Sequence, residues 1–115
     1  MPAVNTLTVH SLIPDQYGID IVVKVVHPIV SVELDDNGKK VRVYEHLVGD
    51  ATGCIILKSQ QDLKGVIRIK KGYTQIIDGY LRLVVTNENM ESISDNNVNV
   101  LLQNNLSTIK FVRKI

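Results

Sequence analysis

Basic residues cluster in the stretch from Lys58 to Arg82, and a tyrosine follows two adjacent lysines after a single glycine. Six side chains in this stretch are positive and two are negative, so the local net charge is +4. The positive residues are Lys58, Lys64, Arg68, Lys70, Lys71 and Arg82, and the negative residues are Asp62 and Asp78. Lysine and arginine neutralise phosphate groups, and the ring of Tyr73 can stack on a nucleobase. The pattern indicates recognition of an extended polyanion, with a merely solvated strand face as the alternative.

Catalytic and metal-binding chemistry has little support in the residue pattern. The three histidines, His10, His27 and His46, lie far apart, with no cysteine or carboxylate at the spacing of metal ligands. No Ser-His-Asp order, phosphate-cradling glycine loop or close carboxylate pair is present. We therefore expect no enzyme activity, no metal and no cofactor. The single cysteine, Cys54, excludes an internal disulfide and indicates an intracellular, reducing compartment.

The composition indicates one small all-β domain. The chain has 115 residues, of which 44% are hydrophobic but only 4% aromatic, so valine, isoleucine and leucine must form the core. Such β-branched residues favour strands. Alternation and turn residues predict five strands, at 19–32, 40–48, 54–58, 66–74 and 80–86. Asn37-Gly38 and Asp78-Gly79 predict tight hairpins, and Gly49-Asp50-Ala51-Thr52-Gly53 predicts a turn.

Two strands carry further signals. In the first, Ile19, Ile21 and Val23 share the core face, and Pro28 predicts a bend or bulge. In the second, polar and aromatic residues alternate with aliphatic ones, so that one face is polar and aromatic: Arg42, Tyr44 and His46 against Val41, Val43 and Leu47. Before the first strand, residues 6–9 predict a short apolar anchor and residues 14–18 a turn.

The C-terminal region differs in composition. Residues 87–107 contain seven asparagines and no lysine or arginine, which predicts a loop, with 98–102 as an anchor or short strand. Alternation over 107–113 predicts a final strand. Together the elements indicate a single domain over 1–115: a five-stranded Greek-key OB-fold barrel at about 5–93, followed by an Asn-rich loop and an extra C-terminal strand at 94–115. An SH3-like barrel is the competing interpretation.

Four segments carry a resemblance to a known family. They are Val48-Gly49-Asp50-Ala51-Thr52-Gly53-Cys54-Ile55, Lys71-Gly72-Tyr73, Asp78-Gly79-Tyr80-Leu81-Arg82-Leu83 and Met90-Glu91-Ser92-Ile93. With them the chain resembles the single OB-fold single-stranded-DNA-binding proteins of eukaryotes and archaea. These include the B subunits of the sensor-of-single-stranded-DNA complex and the OB domains of replication protein A. The C-terminal Asn104-Asn105-Leu106-Ser107 is similar to the plant-type branch of the family.

The resemblance implies largely sequence-independent binding of single-stranded DNA, or of RNA, by phosphate contacts and limited stacking. The phosphate contacts are expected from Arg42, Lys58, Arg68, Lys70, Lys71 and Arg82, and the stacking from Tyr44, Tyr73 and, as a further candidate, Tyr80. Three positions where the family carries stacking aromatics hold Gln60, Ile77 and Val84 here. Their absence removes about 3–9 kcal/mol of potential stacking. The family also implies residence in the nucleus, with the cytoplasm as the alternative.

A second interpretation is a protein-interaction OB subunit or homodimer with little affinity for nucleic acid. The aliphatic tip Ile76-Ile77 and the apolar end Phe111-Val112 would then contact the partner. A membrane role is not expected, because no apolar run approaches the ~20 residues that span a bilayer and no secretory signal is recognisable. With 13 basic and 12 acidic residues, the net charge of +1 requires any polyanion to bind a local patch.

Overall fold

Six strands and three single-turn 3₁₀ helices make up the part of the chain that the computed structural model describes, residues 7–94 and 98–108. The strands are β1 (Ile19–Asp36), β2 (Lys39–Asp50), β3 (Gly53–Ser59), β4 (Val66–Ile77), β5 (Tyr80–Val84) and β6 (Met90–Ile93). The 3₁₀ helices are Val9–Ser11, Asn87–Asn89 and Leu106–Thr108. None of the helices in these two ranges is long and apolar enough to cross a membrane. The predicted all-β class is confirmed.

The strands close into a ring because β1 is long enough to pair on two sides. Residues 24–36 of β1 pair antiparallel with β2, and residues 19–24 pair antiparallel with β4. β2 pairs with β3, β3 runs parallel to β5, and β5 pairs with β4, which completes the circle. This is the five-stranded Greek-key arrangement of an OB fold, with β6 added to β4 as an extra strand.

The core is aliphatic, as the composition predicts. Ile19, Ile21 and Val23 of β1 are fully buried, which confirms the predicted core face of this strand. They pack with the inward-facing residues of the other strands, chiefly Val48, Ile55, Leu57, Ile67, Ile69, Leu81 and Leu83. Burying each such side chain contributes roughly 1.5–3 kcal/mol, so the barrel needs no aromatic residue inside.

β1 bends at the proline. Its register with β2 shifts between Val25 and His27 and again between Pro28 and Val30. Proline cannot donate a hydrogen bond to a neighbouring strand, so bulges on both sides accommodate it. Beyond this point, residues 29–43 form a hairpin arm whose two strands pair only with each other. Its tip is the predicted tight turn, in which Asn37 and Gly38 both have positive φ.

The hairpin arm has one apolar and one polar face. Val30, Val32 and Leu34 of β1 lie on the same face as Val41 and Val43 of β2, because residues paired across strands share a face. The exposed fractions of Val30, Val32 and Leu34 are 42%, 42% and 49%, which is high for aliphatic residues in a strand. The polar face carries Ser31, Glu33, Asp35, Lys40, Arg42 and Tyr44.

Part of the C-terminal region differs from the prediction. A loop is predicted over 87–107, but Met90–Ile93 forms β6. Its four residues show no alternation of their own, so the strand depends on the edge that β4 offers. Segment 98–102 is an anchor without strand pairing, in which the Leu101 N–H donates to the Asp50 carbonyl oxygen at 3.0 Å. Of the strand predicted at 107–113, the first two residues lie in a 3₁₀ helix, and the rest falls outside the described residues.

Candidate nucleic-acid interface

A groove of about 580 Å³ lies between the apolar face of the hairpin arm and the outer face of the barrel. Residues of both arm strands form one wall, including Leu34, Val41 and Val43. On the barrel side, Lys58 of β3 pairs with Val84 of β5, and Val84 pairs with Tyr73 of β4. These three side chains therefore share one face and form a row across the floor. The other lining residues are Asp35, Asp36, Ser59, Gln60, Gln75, Val85 and Thr86.

Tyr73 is half-buried at this floor and forms a ring stack with a residue of the N-terminal segment. Its ring centroid lies 5.9 Å from that of Tyr17, and the two ring planes differ by 19°. Such an offset parallel arrangement is favourable for aromatic rings. The sequence predicts a stacking role for Tyr73 but gives none for Tyr17. The signal available for Tyr17 was an aromatic residue inside a predicted turn, where no core can bury it.

Lys70 and Lys71 lie on a bulge of β4. Residues 69–72 of β4 span the same length as residues 19–21 of β1, so β4 has one extra residue here. Lys71 takes up the bulge in the left-handed region, with φ of 56°. In a regular strand successive side chains alternate between faces, but the bulge leaves both lysines exposed. Neither forms an ion pair with a carboxylate of residues 7–94 or 98–108.

Two of the three arginines predicted to contact phosphates, Arg68 and Arg82, are held by carboxylates. Arg68 Nε and Nη2 donate to the two carboxylate oxygens of Asp20 at 3.2 and 3.1 Å. These hydrogen bonds, the charge of Asp20 and the charge of Glu91 raise the pKa of Arg68. Arg82 Nε lies 3.5 Å from Glu45 Oε2, and its side chain is only 16% exposed. Neither arginine lines the groove.

Arg42 and Tyr44 lie on the opposite face of β2 from the groove-lining valines. Arg42 is exposed and its Nη1 donates to the Ser31 Oγ at 3.0 Å. Tyr44 stacks on His46 with a centroid separation of 6.1 Å. His46 itself is 1% exposed, because this face of β2 continues into the barrel interior. The structure therefore brings Lys58 and Tyr73 together and leaves Arg42 and Tyr44 on another surface.

Two of the three positions that lack a family aromatic lie in the groove. Gln60 and Val84 line it, whereas Ile77 ends β4 at the hairpin with β5. Within the groove these two positions therefore hold a glutamine and a valine instead of aromatic rings. Its lining combines aliphatic side chains with one lysine, one tyrosine and the two aspartates of the arm.

The comparison with family models decides the family. The model described as single-stranded DNA binding protein Ssb-like, OB fold, matches residues 12–92. The chain belongs to this Ssb-like family. The matched range contains β1 to β5 and most of β6. The predicted resemblance is thereby confirmed. No curated protein matches the chain by sequence.

The solved structures that share the fold of this Ssb-like chain include one hypothetical protein and two OB-fold domains. The hypothetical protein F20O9.120 from Arabidopsis thaliana superimposes with a TM-score of 0.80 at 23% identity, covering 100% of this chain and 90% of that one. The OB domain of Ta0387 from Thermoplasma acidophilum has a TM-score of 0.66 at 24% identity, covering 84% and 91%. The second OB-fold domain of replication protein A from Methanococcus maripaludis has a TM-score of 0.61 at 21% identity, covering 77% and 95%.

The Gly-Asp-x-Thr-Gly turn of this Ssb-like chain contacts one segment that precedes the barrel in the sequence and one that follows it. The Asp50 carboxylate accepts hydrogen bonds from the N–H groups of Val9 at 3.0 Å and Thr52 at 2.9 Å. A Cβ atom at Gly53 would lie 2.7 Å from the carbonyl oxygen of Asn104, so a larger residue cannot fit. These contacts give the turn a structural role. The turn is also at the end of β2 opposite the arm tip, away from the groove.

Clusters of metal-binding type are missing from the residues that the structure describes. Within 7–94 and 98–108, no group of three or more His, Cys, Asp or Glu side chains could hold a metal ion. His46 Nε2 lies 3.0 Å from Asp62 Oδ1 and 3.2 Å from the N–H of Leu63, which are contacts that fasten the β3–β4 connection.

Proposed function

We propose that the protein binds single-stranded nucleic acid, DNA in preference to RNA, without reading the base sequence. Membership of the Ssb-like family supports this ligand class and is the reason for favouring DNA. The observation that carries the proposal is the row formed by Lys58, Val84 and Tyr73 on the groove floor, beside the two exposed lysines of the β4 bulge. This row offers a cation and a ring on one open face.

In the proposed mode, one base stacks on the part of the Tyr73 ring that lines the groove and that Tyr17 leaves uncovered, while Lys58, Lys70 and Lys71 neutralise phosphates. A base–aromatic stack contributes roughly 1–3 kcal/mol. Each neutralised phosphate on a single strand contributes about 0.7 to the slope of log affinity against log salt. Three lysines therefore give a slope of about −2, which corresponds to an affinity loss of about 20-fold between 50 and 200 mM salt.

The other predicted contacts are expected to contribute less. A phosphate that approaches Arg68 or Arg82 has to compete with the carboxylate that each arginine already contacts. Arg42 and Tyr44 are separated from the groove by the thickness of the arm. A strand that follows the groove can reach them only by wrapping around this hairpin.

Titration of a fluorescently labelled oligo(dT) tests the proposal. Wild-type protein should bind in 50 mM salt with the shallow slope given above. Tyr73→Ala should weaken binding roughly 5- to 150-fold, because one stack is lost. Tyr44→Ala is the matched control, since it also removes a tyrosine ring, but from the face of β2 that points away from the groove. An unchanged affinity for Tyr73→Ala, or equal losses for both variants, would reject Tyr73 as the stacking residue of the groove.

The exposed aliphatic face of the hairpin arm favours a second candidate function, a protein-interaction OB subunit or homodimer. Val30, Val32 and Leu34 are each more than 40% exposed on one face of the arm. Exposed apolar patches of this kind commonly mark interaction sites. The Ile76-Ile77 tip is half-buried, and Phe111-Val112 lies outside the described residues. Light scattering after size exclusion separates the candidates: a dimer that ignores oligonucleotides supports this one, and a monomer that binds them supports the first.

Two further expectations from the sequence are retained as proposals. The protein is proposed to act by binding alone, without catalysis. It is also proposed to reside inside the cell, in the nucleus, on the ground of its family. Imaging of a fluorescent fusion would check the location, and an exclusively extracellular signal would contradict it.

A further inference from the structure

Tyr17 is the most unusual side chain near the groove, because its ring is exposed and yet held in place. Its exposed fraction is 74%. One side of the ring stacks on Tyr73, at 5.9 Å between centroids and with nearly parallel planes. If the only role of the Tyr17 ring were to cover Tyr73, burying both of its faces would stabilise the fold more. Here the outer face of the stack is left to solvent.

The backbone on either side of Tyr17 is fastened to the strand that carries Tyr73. The Gln16 N–H donates to Thr74 Oγ1 at 2.8 Å, and the Thr74 N–H donates to the Gln16 carbonyl oxygen at 2.9 Å. Thr74 Oγ1 also donates to the carbonyl oxygen of Ile13. Thr74 is 1% exposed, so these hydrogen bonds are shielded from water. The hydrogen bonds between Gln16 and Thr74, the chain neighbours of Tyr17 and Tyr73, therefore hold the two rings in place.

The turn around Tyr17 uses backbone conformations that most residues avoid. Asp15 has φ of 56° and Gly18 has φ of 67°. A Cβ atom at Gly18 would meet nothing within 4 Å, so this glycine is required by conformation and not by space. Glycine adopts positive φ readily, whereas at Asp15 such a conformation costs energy and persists because the surroundings enforce it. These two residues turn the chain so that Tyr17 is presented outward just before β1 begins.

We infer that Tyr17 is a second nucleobase-stacking residue, whose free ring face takes an unpaired base next to the one on Tyr73. This inference rests on the proposed function, since it adds a site to the same strand path. The Tyr17–Tyr73 stack continues the floor of the groove outward, and the exposed lysines of the bulge lie two and three residues before Tyr73 on β4. The platform is preformed, so ordering it costs little on binding.

The test combines protein variants with a modified strand. Labelled oligo(dT) and an otherwise identical oligonucleotide with abasic sites are titrated against wild type, Tyr17→Ala, Tyr17→Phe and Ile13→Ala. Tyr17→Ala should weaken oligo(dT) binding roughly 5- to 150-fold and leave the affinity for the abasic strand unchanged. Tyr17→Phe should behave as wild type. Ile13→Ala, which removes a 60% exposed aliphatic side chain from the same segment, should also be neutral.

The outcomes separate this inference from the proposed function. If wild type binds oligo(dT) and Tyr17→Ala binds it equally well, the Tyr17 assignment falls while the groove proposal stands. If wild type binds no oligonucleotide, the proposed function itself falls. Should Tyr17→Ala disturb folding, the wild-type ring protons of Tyr17 provide the readout. A base on the ring shifts them upfield with oligo(dT) and not with the abasic strand, and equal shifts with both strands would overturn the inference.

Discussion

Replacing the two lysines of the β4 bulge is expected to weaken oligonucleotide binding far more than replacing two lysines of the hairpin arm. Lys70→Gln/Lys71→Gln and Lys39→Gln/Lys40→Gln lower the net charge equally. None of these four lysines forms an ion pair with a described carboxylate, but the arm lysines lie opposite two aspartates of β1, whereas the bulge lysines lie on β4 beside the groove floor. The bulge also directly precedes the stacking tyrosine of the groove floor. Their position and the aspartates opposite the arm lysines, not the net charge alone, therefore distinguish the two pairs.

The magnitude follows from counterion release. Removing two phosphate contacts from a single strand lowers the steepness of the salt dependence by about 1.4, at about 0.7 per contact. With the wild-type and variant lines meeting at about 1 M salt, where counterion release contributes nothing, the affinity of the bulge variant should be reduced about 65-fold at 50 mM salt and about 10-fold at 200 mM. The slope should fall from about −2 to about −0.7. The arm variant should stay close to the wild-type line at both concentrations.

Fluorescence anisotropy of labelled oligo(dT) at four salt concentrations measures both the affinities and the slopes. Far-UV circular dichroism of the two variants checks that the barrel is intact. Equal losses for the two variants would show that the protein binds through its net charge alone. An unchanged slope for the bulge variant would refute the assignment of these lysines to phosphates.

Three other perturbations are expected to have separate effects. Gln60→Trp places a ring in the groove and should tighten oligo(dT) binding roughly 5- to 150-fold; an unchanged affinity would mean that the strand does not pass this position. Asp50→Ala removes the acceptor of two backbone N–H groups and should lower the free energy of urea unfolding by about 2–4 kcal/mol, an expectation that equal stability would refute. Burial raises the pKa of the Cys54 thiol above its ordinary value of 9.0, so the stabilisation from this shift is complete below that pH and is lost as the pH rises through the folded-state pKa. Cys54→Ala should flatten this alkaline decline in the free energy of urea unfolding, and an identical pH profile would contradict it.

The strands were predictable because local signals and tertiary pairing agree in the barrel. Asn37-Gly38 and Asp78-Gly79 both have the positive φ angles that a tight hairpin requires, and they fix the ends of four strands. The ends of two strands differ from the prediction, since β4 continues to Ile77 and not to Thr74, and β5 stops at Val84 and not at Thr86. β6 was missed because four residues with two polar side chains give no periodic signal. Its existence depends on a partner edge more than twenty residues earlier.

The site was only partly predictable, because alternation does not say which face of a strand is inside. On β2, His46 is buried, and the aliphatic Val41 and Val43 line the groove. The hairpin arm extends past the barrel, so its apolar residues have no core to enter. The Arg68–Asp20 pair joins residues 48 positions apart, which no spacing rule indicates. Tyr17 lies in a turn without periodicity, and only its stack on Tyr73 distinguishes it.

The most direct test of the groove is a chemical-shift perturbation map of the backbone amides with short dT and rU strands. The largest shifts should fall on Lys58, Val84 and Tyr73 and on the neighbouring β4 bulge, with dT effective at lower concentration than rU. Shifts confined to the polar face of the hairpin arm, around Arg42, or no shifts with either strand at low salt, would contradict binding in the groove.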